Sequence, residues 1–145
     1  PDNETPIFAT ASDKEQRTTD IELYFKYESF PKSQKNTYAY IPYGFVESFA
    51  SAMSYYRLDE LAKKPDSPLL GAYASPSQYV FASTKDAFLV QGDAKPGREL
   101  EAYKFLLREA LRLSKHGFSV DEFDRAKADI LSFLILIIVT FLCRN

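Results

Sequence analysis

The sequence predicts a two-layer α+β domain with the order strand, helix, strand, strand, helix, helix, in which helices pack on one face of a mainly antiparallel sheet. Three observations carry this. DIELYFKY, from Asp20, alternates Ile21, Leu23, Phe25 and Tyr27 with Glu22, Tyr24 and Lys26, the pattern of a half-buried strand. YGFVESFASAMSYYRLDELAKK then changes to a helical period. GAYASPSQYVF and DAFLVQGD follow as two strands of a hairpin, ahead of two further helical runs.

The N-terminal segment PDNETPIFATAS lacks the basic start and long apolar run of a signal peptide and reads as an internal cut. Asn3-Glu4-Thr5 fits a glycosylation acceptor pattern that is common by chance. Ile7 to Ala11 reads as an edge strand and Asp13 to Gln16 as a turn. After DIELYFKY, the polar ESFPKSQKN is a connection interrupted by Pro31.

The first helix is expected to bury Val46, Phe49, Ala50, Met53 and Tyr56, which recur at three- and four-residue steps. Ser48, Ser51, Ala52 and Ser54 lie off that stripe and are small enough for another element to approach closely. Pro42 is tolerated in the first turn, whereas Pro65 and Pro68 prevent easy continuation. Pro76 removes a ladder donor, so its strand lies at an edge or bulges there. Ser83 to Asp86 supplies the hairpin turn, Phe88 and Val90 share a face, and Gly92 to Gly97 (GDAKPG) breaks the pattern. The second helix is expected to bury Leu100, Tyr103, Leu107, Ala110 and Leu111. It ends with Lys115 and His116 in the last turn and Gly117 as a left-handed stop. Ser119 and Glu122 form a capping box for the third helix, flanked by Phe118 and Phe123 at staple positions, with Ala126 and Ile130 continuing the inner face.

Composition limits the function. The chain has 145 residues, 46% hydrophobic and 15% aromatic, enough for one core. A net charge of −2 and scattered Lys and Arg argue against nucleic acid as a partner. A single cysteine, Cys143, cannot form a disulfide within the chain. The single histidine, His116, cannot supply a histidine pair for zinc. His116 reads as a helix C-terminal residue. Asp59 with Glu60, and Asp121 with Glu122, resemble paired carboxylates, but an exposed helix face explains the first pair and the capping box Glu122. No catalytic and no metal residue is assigned. Arg57 has two readings: contact with a peptide carboxylate, or the favoured one, pairing with Glu60 or Glu47 on its own helix. The ten tyrosines suit core or rim packing better than a peptide channel.

SYYRLDELAKK, the hairpin with KDAFLV, and LLREALRLSKHGFSVDEFDRAKADIL together resemble the pitrilysin/insulinase-type zinc metallopeptidases. The likeness runs from about Asp20 to Leu131 and rests on the order and spacing of these segments. It implies repeated α+β domains that enclose a chamber for peptide substrates. The first domain holds zinc through H-x-x-E-H and a distant Glu, and later, non-catalytic domains form the opposite wall. The chain resembles the second part of such a later domain, with a core at about residues 20–131. Zinc is then expected only in the catalytic domain of the parent protein, with that domain and a peptide substrate as partners. The likeness also suggests a bacterial periplasm or cell envelope. In partner domains of active members, an Arg and a Tyr near the end of the long helix help to bind the substrate backbone. The resemblance places Tyr73 near that Tyr, across irregular spacing at Pro65 to Gly71, and puts Ala62 where the Arg would stand. The family's Arg is thus missing here; Tyr73, from the resemblance, and Arg57, from its charge alone, are the substrate-binding candidates. The alternative is an interaction or assembly domain of a member without peptidase activity.

The likeness stops where an apolar tail begins. ILSFLILIIVTFLC, at 130–143, carries no charge and is shorter than the roughly 20 residues of a membrane span. It reads as a strand completing the sheet, a sequence read out of frame, or a partner-binding segment. A homodimer through 130–143 is expected if it binds a partner.

Overall fold

The structure, a computed structural model, describes Thr5, Ala9, Glu15, residues 18–82 and residues 84–143. The strand expected at Ile7 to Ala11, the turn at Asp13 to Gln16 and the acceptor at Asn3 lie outside these residues, Ala9 and Glu15 apart. The elements are β1 (Thr19–Glu28), a 3-10 turn (Lys32–Gln34), α1 (Tyr40–Ala62), β2 (Leu69–Ala82), β3 (Lys85–Ala94), α2 (Glu99–His116) and α3 (Val120–Leu142). The order matches the sequence reading, and the sheet is antiparallel with strand order β1-β3-β2.

β3 is central. Val90 pairs with Leu23 on one side and Ala74 on the other, and Phe88 pairs with Phe25 and Pro76. DIELYFKY, the clearest strand in the sequence, is an edge strand, because alternation reports a half-buried face and not a place in the sheet. β2 forms the other edge, which accommodates Pro76, and its register shifts between Leu69 and Gly71 and between Ser77 and Ala82. β3 runs past Gly92 to Ala94, so the glycine is a packing device and not a break.

Both α1 and α2 pack on one face of the sheet. The core joins Leu58 and Ala62 of α1, Leu69, Ala74, Val90 and Ala94 of the sheet, and Ala102, Leu106 and Ala110 of α2. Leu58, Leu69, Val90 and Leu106 are fully buried, each contributing about 1.5–3 kcal/mol.

Two buried faces differ from the sequence expectation. In α1 the sheet-facing row is Ser54, Leu58 and Ala62, with Met53 beside it, while Val46 is 66% exposed. Phe49 turns instead to α3 and stacks on Phe123 at 5.1 Å between centroids. In α2 the buried row is Ala102, Leu106, Glu109 and Ala110, and Leu100, Tyr103 and Leu111 are exposed. The reason is closeness of approach. A Cβ on Gly92 would lie 3.1 Å from Leu69 Cδ2 and 3.2 Å from Leu106 Cδ1. The small residues Ala102 and Ala110 seat the helix at that distance, and a face of Leu and Tyr would hold it away.

α2 stops at Gly117 as expected, with φ 65° and its N–H donating to Leu113 O, but its ψ of −147° is extended and not the left-handed helical value expected. At its start, Arg98 donates to the carbonyls of Ser67 and Asp66 at 3.0 and 2.9 Å, fixing the chain just before β2. α3 opens with the predicted capping box: Glu122 N–H donates to Ser119 Oγ, and Ser119 N–H donates to Glu122 Oε2. Ala126 is buried, and the apolar tail continues the same helix to Leu142. It adds no strand to the sheet. Ile and Val at 135–139 follow an already nucleated helix, where propagation costs little.

α3 is joined to α1 through Arg57. Its Nε donates to Glu122 Oε1 and its Nη2 to Glu122 Oε2, both at 2.5 Å, and Nη2 also donates to Gly117 O at 3.1 Å. The guanidinium lies over the Phe118 ring at 5.0 Å. The partners proposed for Arg57 on its own helix are engaged elsewhere: Glu60 with Arg125 and Glu47 with Gln78. Tyr56 adds a hydrogen bond to Asp129.

Gly92→Ala is expected to lower stability by about 1–3 kcal/mol, since the new methyl must displace two buried leucines. Gly44→Ala, in α1 with nothing within 4 Å of the added Cβ, should raise it by about 0.5–1 kcal/mol. Urea unfolding of the two variants checks both signs.

The Arg57 guanidinium, aided by the Ser119 N–H and opposed by desolvation, holds Glu122 at about 2 against its ordinary 4.5. A carboxyl lowered by folding stabilises the native state above its unfolded value, and this is lost as pH falls through the folded one. Stability should therefore fall between about pH 4.5 and 2. In Glu122→Gln that part of the slope should vanish, with a lower urea midpoint at pH 7.

Candidate functional site

Because both core-forming helices lie on one side, the other face of the sheet is built from polar side chains. Tyr73 of β2 and Gln91 of β3 are register partners there, and Tyr73 Oη donates to Gln91 Oε1 at 2.6 Å. Gln91 Nε2 in turn donates to Asp20 of β1 at 2.9 and 3.1 Å. A polar chain thus crosses all three strands. Tyr24 donates to Glu22 on the same face, and this contact raises its phenol pKa above the ordinary value. Leu89, between Tyr24 and Ser75, and Ala87, between Lys26 and Ser77, are the buried apolar residues of this otherwise polar face.

A cleft of about 460 Å³ lies at the β2 edge, lined from both α1 and the sheet. Its walls are Ser51, Tyr55 and Asp59 of α1, the strand 71–75, and Gln91 and Asp93 of β3. Ser51, Tyr55 and Asp59 are spaced by four residues and so share one side of α1. Tyr55 and Tyr73 are 51% and 41% exposed. Gly71 leaves the strand backbone bare, with nothing within 4 Å of where its Cβ would stand. The irregular pairing between Leu69 and Gly71, anchored by Arg98, sets how the edge enters the cleft.

The two substrate-binding candidates do not come together. Tyr73 lines this cleft, whereas Arg57 lies between α1 and α3 in a hollow with Glu60 and Glu122. Of the carboxylate pairs, Asp59 and Glu60 are divided, while Asp121 and Glu122 line the same hollow as Glu60. Asp59 pairs with Lys63 and lines the cleft, Glu60 pairs with Arg125, and Glu122 serves Ser119 and Arg57. His116 is exposed at the end of α2. Tyr40 and Tyr43 stack on each other, and Phe30 lies tilted against both, in an aromatic group at the start of α1. Burial and a hydrogen bond to Tyr27 raise the Tyr43 pKa strongly. Tyr55, Gln91 and Asp93 are cleft residues that sequence reasoning did not single out. The spacing of residues 51, 55 and 59 was a usable signal for the α1 wall, but the β2–β3 register that adds Gln91 and Asp93 was not visible.

The described residues contain no group of three or more His, Cys, Asp or Glu side chains arranged to hold a metal ion. No described helix is long and apolar enough to cross a membrane.

No family model matches the chain, and no curated protein sequence matches it. Two solved structures share its architecture. The first half of the periplasmic protease PqqL from Escherichia coli superposes with a TM-score of 0.68 at 22% identity, over 84% of this chain and 25% of that one. The periplasmic protease PqqL from Escherichia coli gives a TM-score of 0.69 at 23% identity, over 84% of this chain and 13% of that one. The chain spans a quarter or less of the length of these structures. At this identity the likeness establishes the fold: an α+β domain of the kind found within that protease.

Proposed function

We propose that this chain is a non-catalytic domain of a zinc-dependent metalloendopeptidase, forming the substrate-enclosing wall opposite the zinc-bearing domain. The observation that carries the reading is the one-sided sheet: Tyr73, Gln91 and Asp20 link its polar face, and Tyr73 and Gln91 also line a cleft beside β2, an edge strand among the described residues. Such a wall contributes positioning and exclusion of water, while zinc chemistry belongs to the catalytic domain. The shared fold with part of a periplasmic protease supports the reading and favours the periplasm. The lone histidine supports it too, because a zinc site takes about three protein ligands.

The end of α3 favours a second role in assembly. Residues 130–143 carry no charge, and Phe133, Ile135, Leu136, Phe141 and Leu142 are each at least 60% exposed. Leaving such surface in water forfeits about 25 cal/mol for each Å². The exposed side chains from Leu131 to Leu142 amount to roughly 1,000 Å², comparable to one side of a standard interface. In this reading the helix ends of two copies pack together as a homodimer.

The purified chain should hydrolyse no peptide in a fluorogenic peptide library and should hold far less than one zinc per chain by elemental mass spectrometry. Tight stoichiometric zinc at neutral pH, with or without His116→Ala, would sink the first reading. Truncation after Leu131 should shift the species seen by light scattering from dimer to monomer, with reductant present to keep exposed Cys143 from cross-linking. A full chain that stays monomeric at high concentration rules out the assembly role.

A further inference from the structure

We infer that the helix ends of two copies pair antiparallel, with the uncharged run 130–143 of one laid along that of the other and each Asp129 facing the partner's Arg144. The inference rests on the assembly reading above and adds the direction in which the two helices run.

Beyond its contacts with α1 the end of α3 stands free. Ala126 is buried, Ile130 and Leu134 are half-buried, and every described residue after Leu134 is exposed. The two hydroxyls of the run, Ser132 and Thr140, donate to the carbonyls of Ala128 and Leu136 at 2.8 and 2.7 Å, so pairing it buries no unpaired donor. Asp129, Phe133, Leu136 and Thr140 follow at steps of four, three and four and share one side of the helix. Phe133 and Leu136 on that side are each 62% exposed.

The charges that bound the run decide the direction. Asp129 is the last charged residue before it and Arg144 the first after it. Asp129 is exposed and accepts a hydrogen bond from the neutral Tyr56, and no cation pairs with it among the described residues. When two runs lie antiparallel and in register, residue 130 stands opposite the other copy's 143, so 129 stands opposite 144 and an ion pair closes each end. When they lie parallel, Asp129 faces Asp129 and Arg144 faces Arg144, and both contacts repel. The antiparallel pair also covers more apolar surface. Each tip then lies against the other copy near Asp129, where α1 flanks the helix, whereas two parallel tips project together into water. Direction further sets the separation of the exposed Cys143 thiols. In the antiparallel pair they lie at opposite ends of the run, about 20 Å apart at roughly 1.5 Å per residue. A disulfide needs Cα atoms within about 4.4–6.8 Å, which the parallel pair alone offers.

The test measures the dimer dissociation constant of the full chain by analytical ultracentrifugation with reductant present. Asp129→Arg and Arg144→Asp should each weaken the dimer about tenfold, because each turns two attractive contacts into two repulsive ones, and the double reversal should restore it. Arg144→Asp leaves the Tyr56–Asp129 bond untouched and carries the test should Asp129→Arg fail to fold. Without reductant, mild copper oxidation should leave the chain uncross-linked on a denaturing gel, while Leu131→Cys should cross-link to the partner subunit's Cys143. A dimer whose affinity ignores both reversals and that cross-links readily through Cys143 alone is parallel, which overturns the inference and leaves the assembly reading standing. A chain that stays monomeric removes both, and sedimentation of that monomer with phosphatidylglycerol vesicles assigns the run to a lipid surface instead.

Discussion

The absence of a side chain at Gly92 is the constraint on which the rest of the fold depends. Leu69 and Leu106 meet over that point, and the Gly71 carbonyl is 3.2 Å from where a Cβ would stand. This spacing brings α2 down onto β3 and brings the start of β2 close to it. It also accounts for the small residues on the buried row of α2, since a helix at this distance has no room for larger ones. With both core-forming helices drawn to one side, burial is achieved there, and the opposite face can be polar.

The polar face is therefore a consequence of the packing and not a separate feature. Tyr73 hydrogen-bonds to Gln91 and Gln91 to Asp20 across the strands, so the side chains of this face are held in one arrangement. Arg98 adds to this from the far side by holding the turn at Asp66 and Ser67, which fixes where the β2 edge begins. A strand edge with fixed ends and a glycine in its exposed stretch is suited to pairing with another strand.

Elements governed by neighbours in sequence were legible in it. The capping box at Ser119 and Glu122, the stop at Gly117 and the edge position of Pro76 each follow from a few adjacent residues, and each is present. Facts that depend on a distant partner were not. The α2 sequence offers two apolar arcs, Leu100-Tyr103-Leu107-Leu111 and Ala102-Leu106-Ala110, and only the surface beneath decides between them. Local carboxylates suggested partners for Arg57 on its own helix, yet it reaches 65 residues along the chain to Glu122. The helical tail was missed: the run reads as a strand, an out-of-frame sequence or a partner-binding segment, because its composition is apolar throughout and no period could be read from it.

Arg57 and Tyr73 were equal candidates by residue type, and energetics separates them. To meet a ligand, Arg57 would give up two charge-assisted bonds to Glu122, each contributing about 1.5–3 kcal/mol, together with the Gly117 carbonyl and the Phe118 ring. Those contacts also join α3 to α1, so releasing them loosens the helix pair. Tyr73 would give up at most one neutral bond to Gln91, of about 0.5–1.5 kcal/mol, and its ring is already exposed in the cleft. A peptide can compete for the second arrangement far more readily than for the first. Binding is thus expected on the sheet side of α1, and the α1–α3 joint serves to hold that helix, with Ser51, Tyr55 and Asp59 on it, against the strand edge.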